Sequence, residues 1–168
     1  MIMKQCKFIL IVILLGLIFS SCDEDSHSYW TTGTLEKRET YYTDREGLIT
    51  RSFEIDERDI YPDGRFRSIE DINFDGDESI ILTVGNRAII DKLWLSVDGT
   101  NVKVFFENLT RSKEFYDGDV ARFMSVVVDQ MRRNGYVRIN VDAENIDWER
   151  NIQLDIELFA ELKVYVRD

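Results

Sequence analysis

Ile152-Gln-Leu-Asp-Ile-Glu-Leu-Phe-Ala-Glu-Leu-Lys-Val-Tyr-Val166 is the stretch that decides the fold. Ile152, Leu154, Ile156, Leu158, Ala160, Leu162, Val164 and Val166 alternate with mostly polar residues, a period of two held over fifteen positions. Side chains of a strand point alternately to opposite faces, so this period sets one apolar row on a single side, and that row must be buried. Either one long strand or two strands joined by a bend near Phe159 satisfies it. Toward the N-terminus, Val137, Ile139 and Val141 alternate in the same way, as do Val102, Val104 and Phe106. Between Leu93-Trp-Leu-Ser-Val97 and the strand starting at Asn101 stands Asp98-Gly99, a dipeptide that accepts the positive φ of a tight hairpin turn. Further upstream, Tyr29 to Lys37 and Leu48 to Ile55 read as a strand pair bridged by polar residues, and Ser79 to Val84 as a further strand.

One segment breaks the period. Val120, Phe123, Met124, Val127, Val128 and Met131 recur at the spacing that lines one face of an α-helix. Asp117 and Asp119 precede this face, where they can cap free N–H groups and oppose the positive end of the dipole. Arg132, Arg133, Asn134 and Gly135 close it in the favourable order. The polar face, with Arg122, Ser125, Asp129 and Gln130, lacks the Lys and Arg richness of a membrane-lying helix, so the apolar stripe is expected to pack into the core. The order of elements predicts a mainly β protein. Its expected form is an antiparallel β-sandwich, immunoglobulin-like or jelly-roll-like, with one amphipathic helix; the alternative is an α+β fold with the helix across a single curved sheet.

The first thirty residues carry a different signal. Lys4 and Lys7 open the chain, and Phe8 to Phe19 follow without a charge. A basic start ahead of about a dozen apolar residues is a secretory signal, and the run falls short of the about 20 residues needed to span a bilayer. Ser20 and Ser21 directly precede Cys22, so Phe19-Ser-Ser-Cys22 resembles the lipobox cut by lipoprotein signal peptidase, with Phe19 where Leu is most often found. The resemblance implies cleavage after residue 21 and lipidation of Cys22. Several acyl chains, at about 0.8 kcal/mol per buried CH₂, would make that anchorage stable. Asp23-Glu24-Asp25-Ser26 resembles the surface-export signal of Bacteroidota-type lipoproteins, which implies display on the outer membrane facing outward, the periplasmic face being the alternative. The expected organisation is a signal peptide over 1–21, an acidic tether over 22–28 and a single β-rich domain over 29–168.

Composition then excludes several functions. The chain has 32 Asp and Glu against 21 Lys and Arg; removing the leader, which holds two of the lysines and no acid, takes the formal charge from −11 to −13. Such a surface repels phosphate, so no nucleic-acid partner is expected. Cys6 lies in the leader and Cys22 is the lipidation residue, which leaves the mature domain without a disulfide, a thiolate metal site or a Cys nucleophile. The one histidine, His27, sits on the tether, a poor place for a base that must be held rigidly against a nucleophile.

Candidate chemistry is sparse. Asp71-Ile-Asn73-Phe-Asp75-Gly76-Asp77-Glu78-Ser79 resembles the first half of the DxDxDG calcium loop of EF-hands, dockerins and extracellular β-rich proteins. The resemblance implies side-chain oxygens from Asp71, Asn73 and Asp75, a backbone carbonyl from Asp77 and a water-mediated contact from Ser79. Leu82 stands where the twelfth, bidentate ligand belongs, and no entering helix is evident. The plainer reading is a polar turn ahead of a strand. Trp30, Trp94, Trp148 and the tyrosines are candidate sugar-stacking residues; Trp94, between Leu93 and Leu95, is read as core, and Trp148 as the better ligand candidate. No spacing nominates a catalytic pair among the acids.

The resulting expectation is a membrane-anchored, extracytoplasmic, non-enzymatic binding or assembly module with a protein or glycan partner, no required cofactor and calcium as a possible structural ion. The competing class is a carboxylate-based enzyme acting on glycans.

Overall fold

The computed structural model describes residues 27–64, 68–85, 88–145 and 151–167. Nine strands, one α-helix and a single 3-10 turn, Glu57–Asp59, are defined among them. In chain order the strands and the helix are β1 (Ser28–Tyr42), β2 (Leu48–Asp56), β3 (Ile60–Pro62), β4 (Ser68–Val84), β5 (Ile90–Val97), β6 (Lys103–Leu109), β7 (Ser112–Phe115), α1 (Gly118–Asn134), β8 (Tyr136–Glu144) and β9 (Gln153–Arg167). They form two antiparallel sheets, one of five strands in the order β3-β1-β9-β4-β7 and one of four in the order β2-β8-β5-β6. The expected β-sandwich with a single helix is the fold observed.

The alternating stretch is one strand, β9, at the centre of the five-stranded sheet. Its apolar row from Leu154 to Val166 is buried throughout, each member at most 1% exposed. At about 1.5–3 kcal/mol per fully buried aliphatic side chain, a row of this length dominates local stability and fixes the strand's register. Of the two alternatives the single long strand is the one formed, and the irregularity lies in its neighbour: β4 shifts register against β9 between Ile69 and Asp71, between Phe74 and Gly76, and between Gly76 and Ser79. Such shifts, with extra residues on one strand of the pair, are the signature of β-bulges.

The four-stranded sheet supplies the facing wall. Val137, Ile139, Val141 and Ala143 of β8, Leu93, Leu95 and Val97 of β5, and Val104 and Phe106 of β6 are all buried. Helix α1 packs on β4 of one sheet and on β8, β6 and β5 of the other. It buries the six residues its periodicity predicts. The Asp117 carboxylate accepts from the Asp119 and Val120 amides at 3.1 Å, and Gly135, at φ 78°, ends the helix by donating its N–H to the Met131 carbonyl.

Two local expectations are corrected. β1 and β2 follow one another but do not pair: β1 hydrogen-bonds to β3 and β9, and β2 to β8 in the other sheet. The polar bridge between them is an arch across the sandwich, held by Asp44, whose carboxylate accepts from the Glu46 and Leu48 amides at 2.8 and 2.9 Å. The β5–β6 hairpin stands as expected and only its turn is corrected: Asp98-Gly99 belongs to a four-residue connection closed by Val97 N–H to the Val102 carbonyl at 3.1 Å, with positive φ at Gly99 alone of the dipeptide. The Thr100 hydroxyl completes it, donating to the Val97 carbonyl and accepting from the Val102 amide.

Candidate functional site

Residues 22–26, with Cys22 and the acidic cluster, and Trp148 lie outside the described residues, whereas Ser28, expected to end the tether, is the first residue of β1. His27 is exposed immediately before β1.

The calcium-like segment is not a loop. Asp71, Asn73, Asp75, Asp77 and Ser79 all belong to β4, strung along an extended path against β9. A calcium loop converges its oxygens by curling the chain around the ion. Here the side chains are otherwise engaged. The Asp71 carboxylate accepts from the Ile72 amide at 2.9 Å, Asn73 Oδ1 accepts from the Arg132 guanidinium at 3.3 Å, and Asp75 pairs with Lys163 at 3.0 Å. Ser79, opposite Phe159 of β9, is buried, only 7% exposed. Gly76 at φ 125° and Asp77 at φ 43° form part of the bulge. Among the described residues no group of three or more His, Cys, Asp or Glu side chains is placed to hold a metal ion. In this conformation the five residues do not fit a calcium shell, and no chemistry is derived through one.

The aromatic side chains are brought together in two places. Trp30 and Tyr165 face each other across the β1–β9 register, ring centroids 5.2 Å apart. Tyr165 lies between the buried Val164 and Val166, so this pair sits on the outward face, where Trp30 is 49% exposed. On the opposite sheet Trp94 lies across from Phe105, also at 5.2 Å, with the Lys92 ammonium 6.0 Å from the Trp94 ring centroid. Trp94 is therefore not core: Leu93 and Leu95 take the buried row, and the alternation that buries them turns the residue between them outward. Phe105, 45% exposed, was not singled out from the sequence, although the Asp98-Gly99 connection places it opposite Trp94.

A cavity of about 230 Å³ opens beside the C-terminal end of α1, lined by Ile60, Ile72 and Met131 together with Glu57, Asp71 and Arg132. The carboxylates with shifted pKa are elsewhere and are shifted down. Asp56 is held at about 2, first by the side-chain bond from Arg58, and Asp44 is lowered by its two amide donors. A general acid needs the opposite shift.

No family model matches the chain, and no curated protein and no solved structure matches it significantly. The class defined by the fold is thus a two-sheet antiparallel β-sandwich with one helix packed against strands of both sheets.

Proposed function

We infer that the protein is a lipid-anchored extracytoplasmic lipoprotein whose sandwich is a non-enzymatic binding or assembly module. The observation that carries the binding half is the position of the paired aromatics, Trp30–Tyr165 and Trp94–Phe105, on the outward faces of the two sheets. Open, partly apolar faces suit a macromolecular surface, where aromatic anchors supply contact area. The anchoring half rests on the leader and on Phe19-Ser-Ser-Cys22. Strand β1 begins at Ser28, six residues after Cys22, so the tether reaches at most about 20 Å and the module rides close to its membrane.

The test is metabolic labelling with a palmitate analogue, followed by cell fractionation. Wild type is expected to carry the label and sediment with membranes, whereas Cys22→Ser carries none and retains its leader. An unlabelled wild type in the soluble fraction refutes anchoring. Surface display is read by protease shaving of intact cells: neutralising Asp23, Glu24 and Asp25 together is expected to make an accessible protein resistant. Equal resistance of both forms means that the module faces the periplasm.

A further inference from the structure

We propose that the outer edge of β6 pairs with the same edge of a second copy, joining two four-stranded sheets into one continuous eight-stranded sheet about a two-fold axis at Phe105. This contact does not depend on the anchoring of Cys22.

A sheet edge is a row of unpaired N–H and C=O groups, and folded proteins protect such rows. Three of the four terminal strands carry a protective device, although β3 pairs with β1 only over Gly33–Leu35 and β7 with β4 only over Ile80–Thr83. β3 is three residues long and ends in Pro62, and β7 is four residues long. β2 places Arg51 opposite Val141, so a charge stands in the inward-facing row at the edge. β6 has none of these. It runs seven residues, Lys-Val-Phe-Phe-Glu-Asn-Leu, regular from Lys103 to Glu107 before Asn108 at φ 52°, without proline, glycine or an inward charge.

The hydrogen-bond phase shows which groups β6 offers. Val102 directs its carbonyl to Val97, and Val104 and Phe106 follow at two-residue steps opposite Leu95 and Leu93. An antiparallel strand alternates the side to which successive residues direct their backbone groups. Lys103, Phe105 and Glu107 therefore present their amides and carbonyls outward, away from β5.

The edge is complementary to itself. Rotation about Phe105 sets Phe105 against its copy, Val104 against the copy's Phe106, and Lys103 against the copy's Glu107. Phe105 and the two flanking pairs are in hydrogen-bonding phase, which closes about six main-chain bonds. Among the described residues neither Lys103 nor Glu107 has an ion-pair partner: Glu107 lies opposite Lys92, but the Lys92 ammonium pairs with Glu144. In the pair of sheets, Glu144, Lys92, Glu107 and the copy's Lys103 would form an unbroken row of alternating charge. The exposed Phe105 rings would meet between the two Trp94 residues, completing an outward-facing aromatic row. The inward pair, Val104 with Phe106, keeps apolar beside apolar. A different centre of rotation loses this match: at Val104, Lys103 would face Phe105, and at Phe106, Phe105 would face Glu107.

The contact is an edge rather than a face, below the about 1,200 Å² typical of stable complexes, so a reversible dimer is expected. Covalent trapping suits it. Phe105→Cys in the full-length protein, oxidised in intact cells, sets two thiols across the axis, where paired Cα atoms stand about 5.5 Å apart, within disulfide range. The expected result is a reducible band of twice the monomer mass. Adding Lys103→Glu sets like charges together twice and is expected to lower the yield about tenfold; adding Glu107→Lys as well restores it. Thr50→Cys on the β2 edge is expected to give no such band. The parent chain is run alongside: a disulfide dimer of the parent means Cys22 is not acylated, which refutes anchoring without touching this contact. No band from Phe105→Cys in folded protein, an equal band from Thr50→Cys, indifference to the charge exchange, or a cross-link to a protein of another mass each overturns the proposal.

Discussion

Gly33→Ala tests how tightly the five-stranded sheet is closed. Gly33 sits in β1 between Leu162 of β9 and Pro62 of β3. A Cβ added there lands 2.6 Å from Val164 Cγ2 and 3.3 Å from the Pro62 Cα. Carbon atoms prefer about 3.5–4.0 Å, so the new methyl is about 1 Å too close to a fully buried valine, with backbone limiting its retreat on the other side. Overpacking of this kind costs about 1–3 kcal/mol, which for a domain of this size lowers Tm by roughly 3–12 °C. Thermal and urea denaturation followed by far-ultraviolet circular dichroism measure it. Val164→Ala alone is also destabilising, by lost burial and a cavity. The double variant is expected to be at least about 1 kcal/mol more stable than the two losses combined, because the methyl added at position 33 enters the space Val164 gives up. Strict additivity, or an unchanged Tm for Gly33→Ala, refutes the packing argument.

The Tyr41 hydroxyl is buried and has no hydrogen-bond partner among the described residues, so Tyr41→Phe should be neutral or stabilise by up to about 1 kcal/mol on denaturation. Burial, reinforced by Glu39 and opposed by Arg51, raises the Tyr41 pKa to about 12, so stability present below pH 10 declines as pH rises toward 12; a phenol titrating at its ordinary value by absorbance difference against the Phe variant refutes this. Asp56 is the reverse case. The Arg58 side chain and amide hold it at about 2, so its stabilising effect is complete above the ordinary aspartate value of 3.8 and is lost as pH falls toward 2, with a small amplitude because Arg58 is exposed. Carboxyl NMR titration checks it: Arg58→Ala should return Asp56 toward 3.8. Melting in EDTA and then in millimolar calcium reads the Asp71–Ser79 segment. The extended path of β4 predicts no shift, and a rise in Tm that Asp75→Asn removes would show that the bulge opens into a metal loop.

The parts of the fold legible in the sequence are those in which a single face is buried along the whole element. β9 and α1 each bury an unbroken apolar row, so their period survives in the amino-acid order. Sheet membership did not. A polar arch such as residues 43–47 has the composition of a hairpin loop, and whether β1 turns back on itself or crosses the sandwich is decided by partners far along the chain, Leu154 for Tyr41 and Ala143 for Ile49. β3 and β7, at three and four residues, are too short to show any period. The calcium-like segment is ambiguous in sequence for a more specific reason. Oxygen side chains at every second position are the pattern of a calcium loop, and they are equally the outward row of a strand. Asp71 and Asn73 stand opposite Tyr165 and Lys163 in that row, and the glycine that would turn a loop is absorbed into the bulge. Composition cannot separate the two, because the distinction lies in whether β9 offers a pairing surface.

The proposed anchor and the proposed sheet-edge contact also constrain one another. A two-fold axis through Phe105 is perpendicular to the four-stranded sheet, and two copies tethered to one membrane can be related only by an axis along the membrane normal. The sandwich would then lie with its sheets roughly parallel to the bilayer, its two tethers leaving from opposite ends of the pair. A sandwich standing upright on its short tether has the axis in the membrane plane and can pair only with a copy on a facing membrane. Purified lipidated protein with Phe105→Cys, incorporated in vesicles and oxidised, separates the cases. Disulfide formation on isolated vesicles, unchanged on dilution, is the outcome expected for the flat arrangement. Formation that occurs only as vesicles aggregate, and vanishes on dilution, refutes it in favour of a bridge between two membranes.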